Sequence, residues 1–461
     1  MNTAEVAREA TIGLRQAIAM NTPKAVELWL EVVDDSTERA RQVARLSSAD
    51  RRRLGELLDT QTGPELFDSL DVQLAPKLLN TLPISRAGEL LSAVEPHRGA
   101  DILRHVKSET REALLAAMPL EAAKVARGLL SWPAHSVAAH MLPETLTVGP
   151  DMTASQAVEE IGTQVSKRRN DAHPGAYLYV CGAEQHLLGV VRFRSLVLAS
   201  PGQVVINLMK DEAVTVSPLV DAEEAAHLLI NHRVRELPVV DGEGRLLGVL
   251  TESEAFGIAE EEATKDAEKQ GGSAPLEVPY LRASPWLLWR KRIVWLLVLF
   301  VAEAYTGTVL RAFADEMEAV VALAFFIPLL IGTGGNIGTQ ITTTLVRAMG
   351  TGQIRFRDLP AIVSKEVSTG ALIAVAMALA AVVRAWTLGV GPQVTFTVSL
   401  TVAAIVLWSA FVASILPPVL KKVRVDPAVV SAPMIATIVD GTGLLIYFAI
   451  AHLTLPQLAG L

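Results

Sequence analysis

Asp440 stands near the middle of MIATIVDGTGLLIYF, a block with no other charge. An ionised carboxylate at membrane depth costs about 3 kcal/mol or more unless it faces water or a partner. No Lys or Arg in the block could neutralise it. Its natural partner is a cation in a water-filled path; a protonated acid packing a helix interface is the alternative. Thr437, Gly441, Thr442 and Gly443 flank it, and such small or hydroxyl side chains let helices approach closely. A second polar cluster is GTGGNIGTQITTT, residues 332–344. Asn336, Thr339, Gln340 and Thr342 to Thr344 put amides and hydroxyls at the same kind of depth. Gly332, Gly334, Gly335 and Gly338 permit tight packing or exposed backbone carbonyls. A path for a hydrated cation needs neutral oxygens that hold or replace waters, together with a fixed negative charge. A polar packing seam would use the same residue types. Glu303 is another acid in an apolar stretch, and Arg384 could snorkel outward or pair with it.

A third cluster, GIAEEEATKDAEKQGG, carries Glu260, Glu261, Glu262, Asp266 and Glu268. On a helix, Glu262 and Asp266 are i,i+4 neighbours whose repulsion is relieved by a cation between them. Carboxylates are preferred ligands of Mg2+, which keeps some of its waters. A solvated helix face is the plainer reading. Asp426 before Pro427 reads as a helix cap.

The elements that must position these residues are membrane spans. A helix needs about 20 largely apolar residues to cross the hydrocarbon core. Residues 293–313, 319–346, 367–389, 394–420 and 427–452 qualify, with Glu303 and Arg384 interrupting the first and third. The uncharged run from Ala319 to Val346 is too long for one straight crossing and must tilt or kink. Arg290 to Arg292 precede the first span; Arg347, Arg355, Arg357 and Lys365 separate spans two and three; Lys421, Lys422 and Arg424 separate four and five. The alternate loops lack this excess. Positive charge therefore places the N-terminus in the cytoplasm and the C-terminus outside. Trp286, Trp289 and Trp295 read as interfacial anchors, and Pro275, Pro279 and Pro285 predict a non-helical or kinked approach to the membrane.

The 461 residues are 51% hydrophobic with net charge −8, which argues against nucleic acid and mildly favours cations. One cysteine, Cys181, excludes an internal disulfide and a Cys-rich metal centre. MNTAEVAREA does not read as a signal peptide. No GxxxxGK[ST] loop occurs, and nothing else suggests an enzyme. The spans hold no His or Cys ligand set for a soft metal.

From Asp71 a twelve-residue repeat runs DVQLAPKLLNTL, PISRAGELLSAV, EPHRGADILRHV, KSETREALLAAM, PLEAAKVARGLL, apolar at its eighth, ninth and twelfth places except for Arg127. Two helical turns and a corner fit twelve residues, and helices so short must stack into a superhelical bundle. An α/β module repeated in tandem follows. LLGVV (Leu187 to Val191) and LLGVL (Leu246 to Leu250) close its two copies, and DGEG (Asp241 to Gly244) is a hairpin turn.

The tandem module resembles the cystathionine-synthase-like (CBS) pair, most clearly through HRVRELPVVDGEGRLLGVLTESE; SKRRNDAHPGAYLYVC departs from the pattern in the first copy. The resemblance implies dimerisation and an adenosine nucleotide such as ATP, although Thr251-Glu252-Ser253-Glu254 stands where an Asp often contacts ribose. The whole chain resembles the MgtE family of bacterial magnesium channels through PLLIGTGGNIGTQ, the EEEAT…GG linker and ILPPVLKKVRVDPAVVSAPMIATIVDGTG. The expected architecture is multidomain: an all-α superhelical N domain (1–137), an α/β CBS pair (138–200 and 201–256), an acidic connecting helix and linker (257–284), and an all-α domain of five transmembrane helices (285–461).

What the resemblance implies is a homodimer in the bacterial plasma membrane. It would be a Mg2+-selective channel for magnesium uptake, with spans two and five lining an axial pore. Asp440 matches the ion-selecting acid, and Gly334, Gly335, Asn336, Gly338 and Gln340 match the span-two segment beside Thr437. Mg2+ on cytoplasmic acids would close it; Glu261, Glu262 and Asp266, with Glu254 and Asp221, are the candidate regulatory ligands. Glu303 replaces a small or hydroxyl family residue. The alternatives are a channel or carrier for Co2+ or Ni2+, and a CBS-containing membrane sensor that conducts nothing.

Overall fold

A computed structural model describes residues 13–167, 177–210, 213–429 and 432–458. Most of the divergent stretch in the first CBS copy, residues 168–176, lies outside the described residues, as does MNTAEVAREA. The chain divides into two compact units, one of residues 1–262 and 277–282, the other of residues 263–276 and 283–461.

The first unit begins with short helices α1 Leu14–Ala19, α2 Pro23–Val32, α3 Ser36–Ala44, α4 Ser48–Leu57, α5 Thr62–Ser69, α6 Leu74–Leu79, α7 Ile84–Ala93, α8 Pro96–Arg104, α9 Ser108–Ala117 and α10 Leu120–Leu130. The last four start at residues 84, 96, 108 and 120, so the twelve-residue period is the spacing of the helices. Its apolar places form the core: Leu90, Leu91 and Val94, then Ile102, Leu103 and Val106, then Leu114, Leu115 and Met118 are all buried. Arg127, which breaks the pattern, is exposed. Pro96 takes the first helical position of α8, while Pro83 and Pro119 precede α7 and α10, where no amide is needed.

The α/β part of the same unit holds two small sheets. Strand β1 (Thr147–Val148) pairs parallel with β2 (Tyr177–Cys181), which pairs antiparallel with β3 (Leu187–Arg192). Helices α11 (Ala154–Lys167) and α12 (Phe193–Val197) belong to this copy. In the second copy α13 (Ala222–His232) precedes the hairpin of β4 (Glu236–Val240) and β5 (Leu246–Thr251). Asp241 closes the DGEG turn by accepting from the Glu243 and Arg245 amides at 3.0 and 2.9 Å, and Gly244 takes φ +78°. The two copies also bridge each other through His186 and Arg245. Helix α14 (Glu252–Gln270) starts in this unit and ends in the other.

The second unit contains α15 (Pro285–Ala312), the short α16 (Ala314–Ala319), α17 (Ile327–Gly350), α18 (Leu359–Thr387), α19 (Pro392–Lys422) and α20 (Ala432–Thr454). Five segments here are long and apolar enough to cross a membrane. The first departs from expectation, and the second breaks where a tilt or kink was required. The first starts at Pro285, which occupies the first helical position behind the Ser284 cap instead of bending the approach. The second is broken into a 3-10 segment, Val321–Phe326, followed by α17 with Pro328 in its first turn. A proline there loses no hydrogen bond, so the helix begins at Ile327 without penalty. Arg384 lies exposed in the last turn of α18, where the helix dipole favours a cation.

Candidate ion site in the membrane helices

Glycine brings α17 and α20 together. A Cβ at Gly334 would lie 2.6 Å from Val439 Cγ1 and 2.8 Å from Ile405 Cγ2, and one at Gly338 would overlap Ile435. The Gly334 carbonyl accepts the Ser409 hydroxyl at 2.7 Å, tying α17 to α19 as well. These two glycines therefore serve close packing. Gly335 is different: its Cβ would meet Ala436 Cβ at 3.2 Å and Asp440 Oδ1 at 3.6 Å. The open surface of Gly335 thus faces the Asp440 carboxylate, whose Oδ1 is buried without a hydrogen-bond partner among the described residues.

One residue beyond Gly335 the surface of α17 turns outward. Asn336, Gln340, Thr343, Thr344 and Arg347 are exposed at near-helical spacing, a polar stripe on a span of one chain. Thr437, one turn before Asp440, returns its hydroxyl to the Pro433 carbonyl at 3.0 Å. Glu303 is exposed on α15, in the stretch that packs next to the Asp440–Gly441 turn of α20. Close packing explains that neighbourhood, since Tyr305 and Thr306 of α15 press on Gly441. Sequence spacing did not place Glu303 beside Asp440, because helix order in a bundle is not encoded in period.

The C-terminal part of α14 lies against the end of α17 and the turn that precedes α20. A Cβ at Gly350, the last residue of α17, would be 3.7 Å from Asp266 Oδ2. Lys269 pairs with Asp426 at 2.5 Å, and Asp426 also caps the turn before α20 by accepting from Ala428 N at 2.9 Å. Gly272, at φ +74°, fits between Trp295 and Pro433.

The other regulatory candidates have different work in the first unit. Asp221 caps α13, its side chain accepting from Glu223 N at 3.0 Å. Glu254, in the first turn of α14, meets His97 Nε2 at 3.0 Å and His140 Nδ1 at 3.1 Å, one imidazole on each carboxylate oxygen. Among the described residues no three His, Cys, Asp or Glu side chains gather as ligands of one metal ion. Burial alone would push the Glu254 carboxyl up, but the hydrogen bonds from His140 and His97 outweigh it and hold it at about 2. Burial lowers His97 in turn, and the Glu254 bond and charge more than reverse that, so it is raised. Neither histidine had a signal in the sequence, since His140 and Glu254 stand 114 residues apart.

A cavity of ≈ 1380 Å³ opens nearby in this unit, lined among others by Tyr177, Tyr179, Arg235, Glu236, Thr251 and Ser253. The Tyr179 hydroxyl donates to Glu236 at 2.6 Å, and the Thr251 and Ser253 hydroxyls bond each other at 3.1 Å.

Five membrane-length helices, a stacked helical domain and a CBS pair define a polytopic membrane protein with a large helical and CBS-containing portion outside its spans. The family described as divalent cation transporter (MgtE) matches residues 327–450, the MgtE intracellular N domain residues 35–135, and the CBS domain residues 205–260. The magnesium transporter MgtE of Thermus thermophilus is 36% identical over 68% of this chain and 69% of its own length. That of Bacillus subtilis is 28% identical over 73% of each. A solved cytosolic domain of the Mg2+ channel MgtE in complex with ATP is 25% identical, with a TM-score of 0.48, covering 54% of this chain and 99% of that one. The chain belongs to the MgtE family of magnesium transporters.

Proposed function

We propose that the chain is a Mg2+-selective channel for magnesium uptake, closed by Mg2+ on its cytoplasmic side. It works as a homodimer in the bacterial plasma membrane, with its N-terminus in the cytoplasm and its C-terminus outside. The observation that carries this reading is the Asp440 carboxylate beside Gly335, with Oδ1 unpartnered at membrane depth. A fixed negative charge there is stable when a cation in water shares the site. The polar stripe from Asn336 to Arg347 supports the dimer, because a lipid-facing row of amides and hydroxyls would be costly. A second copy facing the first across that stripe turns both into walls of one wet path. Asn336, Gln340 and Thr437 then supply neutral oxygens near the path, Gly335 leaves room for a hydrated ion at Asp440, and Gly334 and Gly338 set the helix spacing.

Closure is a matter of charge neutralisation. Glu261, Glu262 and Asp266 repel one another along α14, and divalent ions favour the arrangement that gathers them. The end of that helix lies against the inner ends of α17 and α20, so its movement bears on the path directly. Taking such a switch from mostly open to mostly closed needs about 5 kcal/mol of differential binding, which several weak sites supply together. The cavity beside the CBS strands fits an adenosine nucleotide such as ATP: Tyr177 offers a stacking face, Arg235 a cation for phosphate, and Thr251 and Ser253 hydroxyls for ribose. Glu236 and Glu252 oppose the phosphate charge there, which favours the Mg2+-bound nucleotide.

The test is divalent flux into liposomes holding the purified protein, with and without Mg2+ on the cytoplasmic face. Mg2+ entry that falls when cytoplasmic Mg2+ is raised supports the reading. Absence of divalent flux in both conditions would leave a sensor, and equal flux in both would remove the gating.

A further inference from the structure

The cluster of His97, Glu254 and His140 joins three separate pieces of the first unit. His97 is in the first turn of α8, His140 follows the turn Val137–Ala139 after α10, and Glu254 opens α14. Each Glu254 oxygen has its own imidazole. His140 faces an acceptor on both sides, since its Nε2 lies 3.1 Å from the Ala134 carbonyl. Carboxylate and carbonyl oxygens only accept, so whichever ring nitrogen carries the proton has an acceptor in reach. His97 Nε2 lies on a Glu254 oxygen, while its Nδ1 is buried without a hydrogen-bond partner among the described residues. Glu95 lies 3.6 Å from His97 Nε2, and Asp68 of α5 adds a further negative charge, with Arg98 opposing both. A clustered set of acids such as Glu254, Glu95 and Asp68 ordinarily needs a cation to be held together. Here two imidazoles occupy the Glu254 oxygens instead.

We propose that His97, Glu254 and His140 form an imidazole–carboxylate clasp that fastens α8 and the segment after α10 to the first turn of α14 without a divalent cation. This contact then stays closed when divalent ions are withdrawn, and the cation response is confined to the acidic run further along α14. The clasp does not depend on the ion-path reading. A protein that conducted nothing would still have it.

Hydrogen exchange on the full-length protein in detergent, in Mg2+ and in EDTA, tests it. In the parent, exchange in α8 and residues 133–146 changes less than about 2-fold on chelation, since no metal closes the contact. Glu254→Gln removes the charge with little change of shape and raises exchange there roughly 10-fold or more in both conditions. His97→Asp sets two carboxylates face to face, so protection is lost in EDTA and restored by Mg2+. Exchange in α2 to α4, away from the clasp, reports whether each variant is folded. Should His97→Asp fail that check, the parent in EDTA and Glu254→Gln decide the matter. Loss of parent protection in EDTA overturns the proposal, and so does parent-like protection in Glu254→Gln.

Discussion

Gly334 and Gly335 are neighbours on one helix, and the structure assigns them opposite consequences on substitution by alanine. At Gly334 the new methyl would stand 2.6 Å from Val439 and 2.8 Å from Ile405, both β-branched and both buried. Overpacking of that kind costs about 1–3 kcal/mol. Alanine recovers up to about 1 kcal/mol of helix propensity over glycine. With two stiff neighbours the cost lies at the upper end, so Gly334→Ala should destabilise by about 1–2 kcal/mol. At Gly335 the contacts are 3.2 Å to Ala436 and 3.6 Å to Asp440 Oδ1, which small shifts absorb. The propensity gain then dominates, and Gly335→Ala should leave stability unchanged or raise it by up to about 1 kcal/mol. Its methyl, however, shields the Asp440 oxygen from a hydrated ion. Unfolding in mixed micelles followed by circular dichroism gives the first quantity, and Mg2+ uptake by liposomes the second. Gly335→Ala with parental stability and parental uptake would refute the claim that Gly335 keeps space for the ion. Equal stability of all three proteins would refute the packing argument at Gly334.

The remaining predictions concern charge. Replacing Glu261, Glu262 and Asp266 together with their amides should leave a channel that conducts at high cytoplasmic Mg2+; a flux assay showing closure equal to the parent would oppose the assignment. Glu303→Gln should weaken divalent uptake at low external Mg2+ by removing a charge beside Asp440, which a concentration series would detect as a raised half-saturation value. For the clasp, Glu254 falls from 4.5 to about 2, equivalent to about 3 kcal/mol of stability that is present above pH 4.5 and lost as pH falls through about 2. His97 is raised, so its contribution is full below pH 6.5 and lost as pH rises through its folded value. Hydrogen exchange in α8 of the full-length protein on heating should therefore show α8 released at lower temperature at pH 9 than at pH 6, and the difference should vanish in His97→Gln.

Much of the fold was legible because it repeats. Twelve-residue spacing gave the starts of the last four stacked helices, DGEG gave the hairpin, and hydropathy gave five spans. Boundaries drifted where a proline sits at a helix start: Pro285 opens α15 and Pro328 begins α17 after a 3-10 segment, because a missing amide there is harmless. Asp440 was visible as a lone charge in an apolar block. What faces it was not, since the approach of Gly335 and the nearness of Glu303 depend on which helices become neighbours. Asp221 and Glu254 illustrate the same limit in the first unit. As residue types they suit a metal, but tertiary contacts make one a helix cap and give the other two imidazoles.

The most direct test is Mg2+ influx into liposomes carrying the parent or Asp440→Asn, at matched protein density and confirmed stability. The amide keeps the size of the side chain and removes its charge. Influx reduced at least about 10-fold is the expected result, the loss of one charge–ion contact of about 1.4 kcal/mol or more. Influx equal to the parent would mean that the Asp440 charge does not hold the ion, and the path would have to be sought elsewhere.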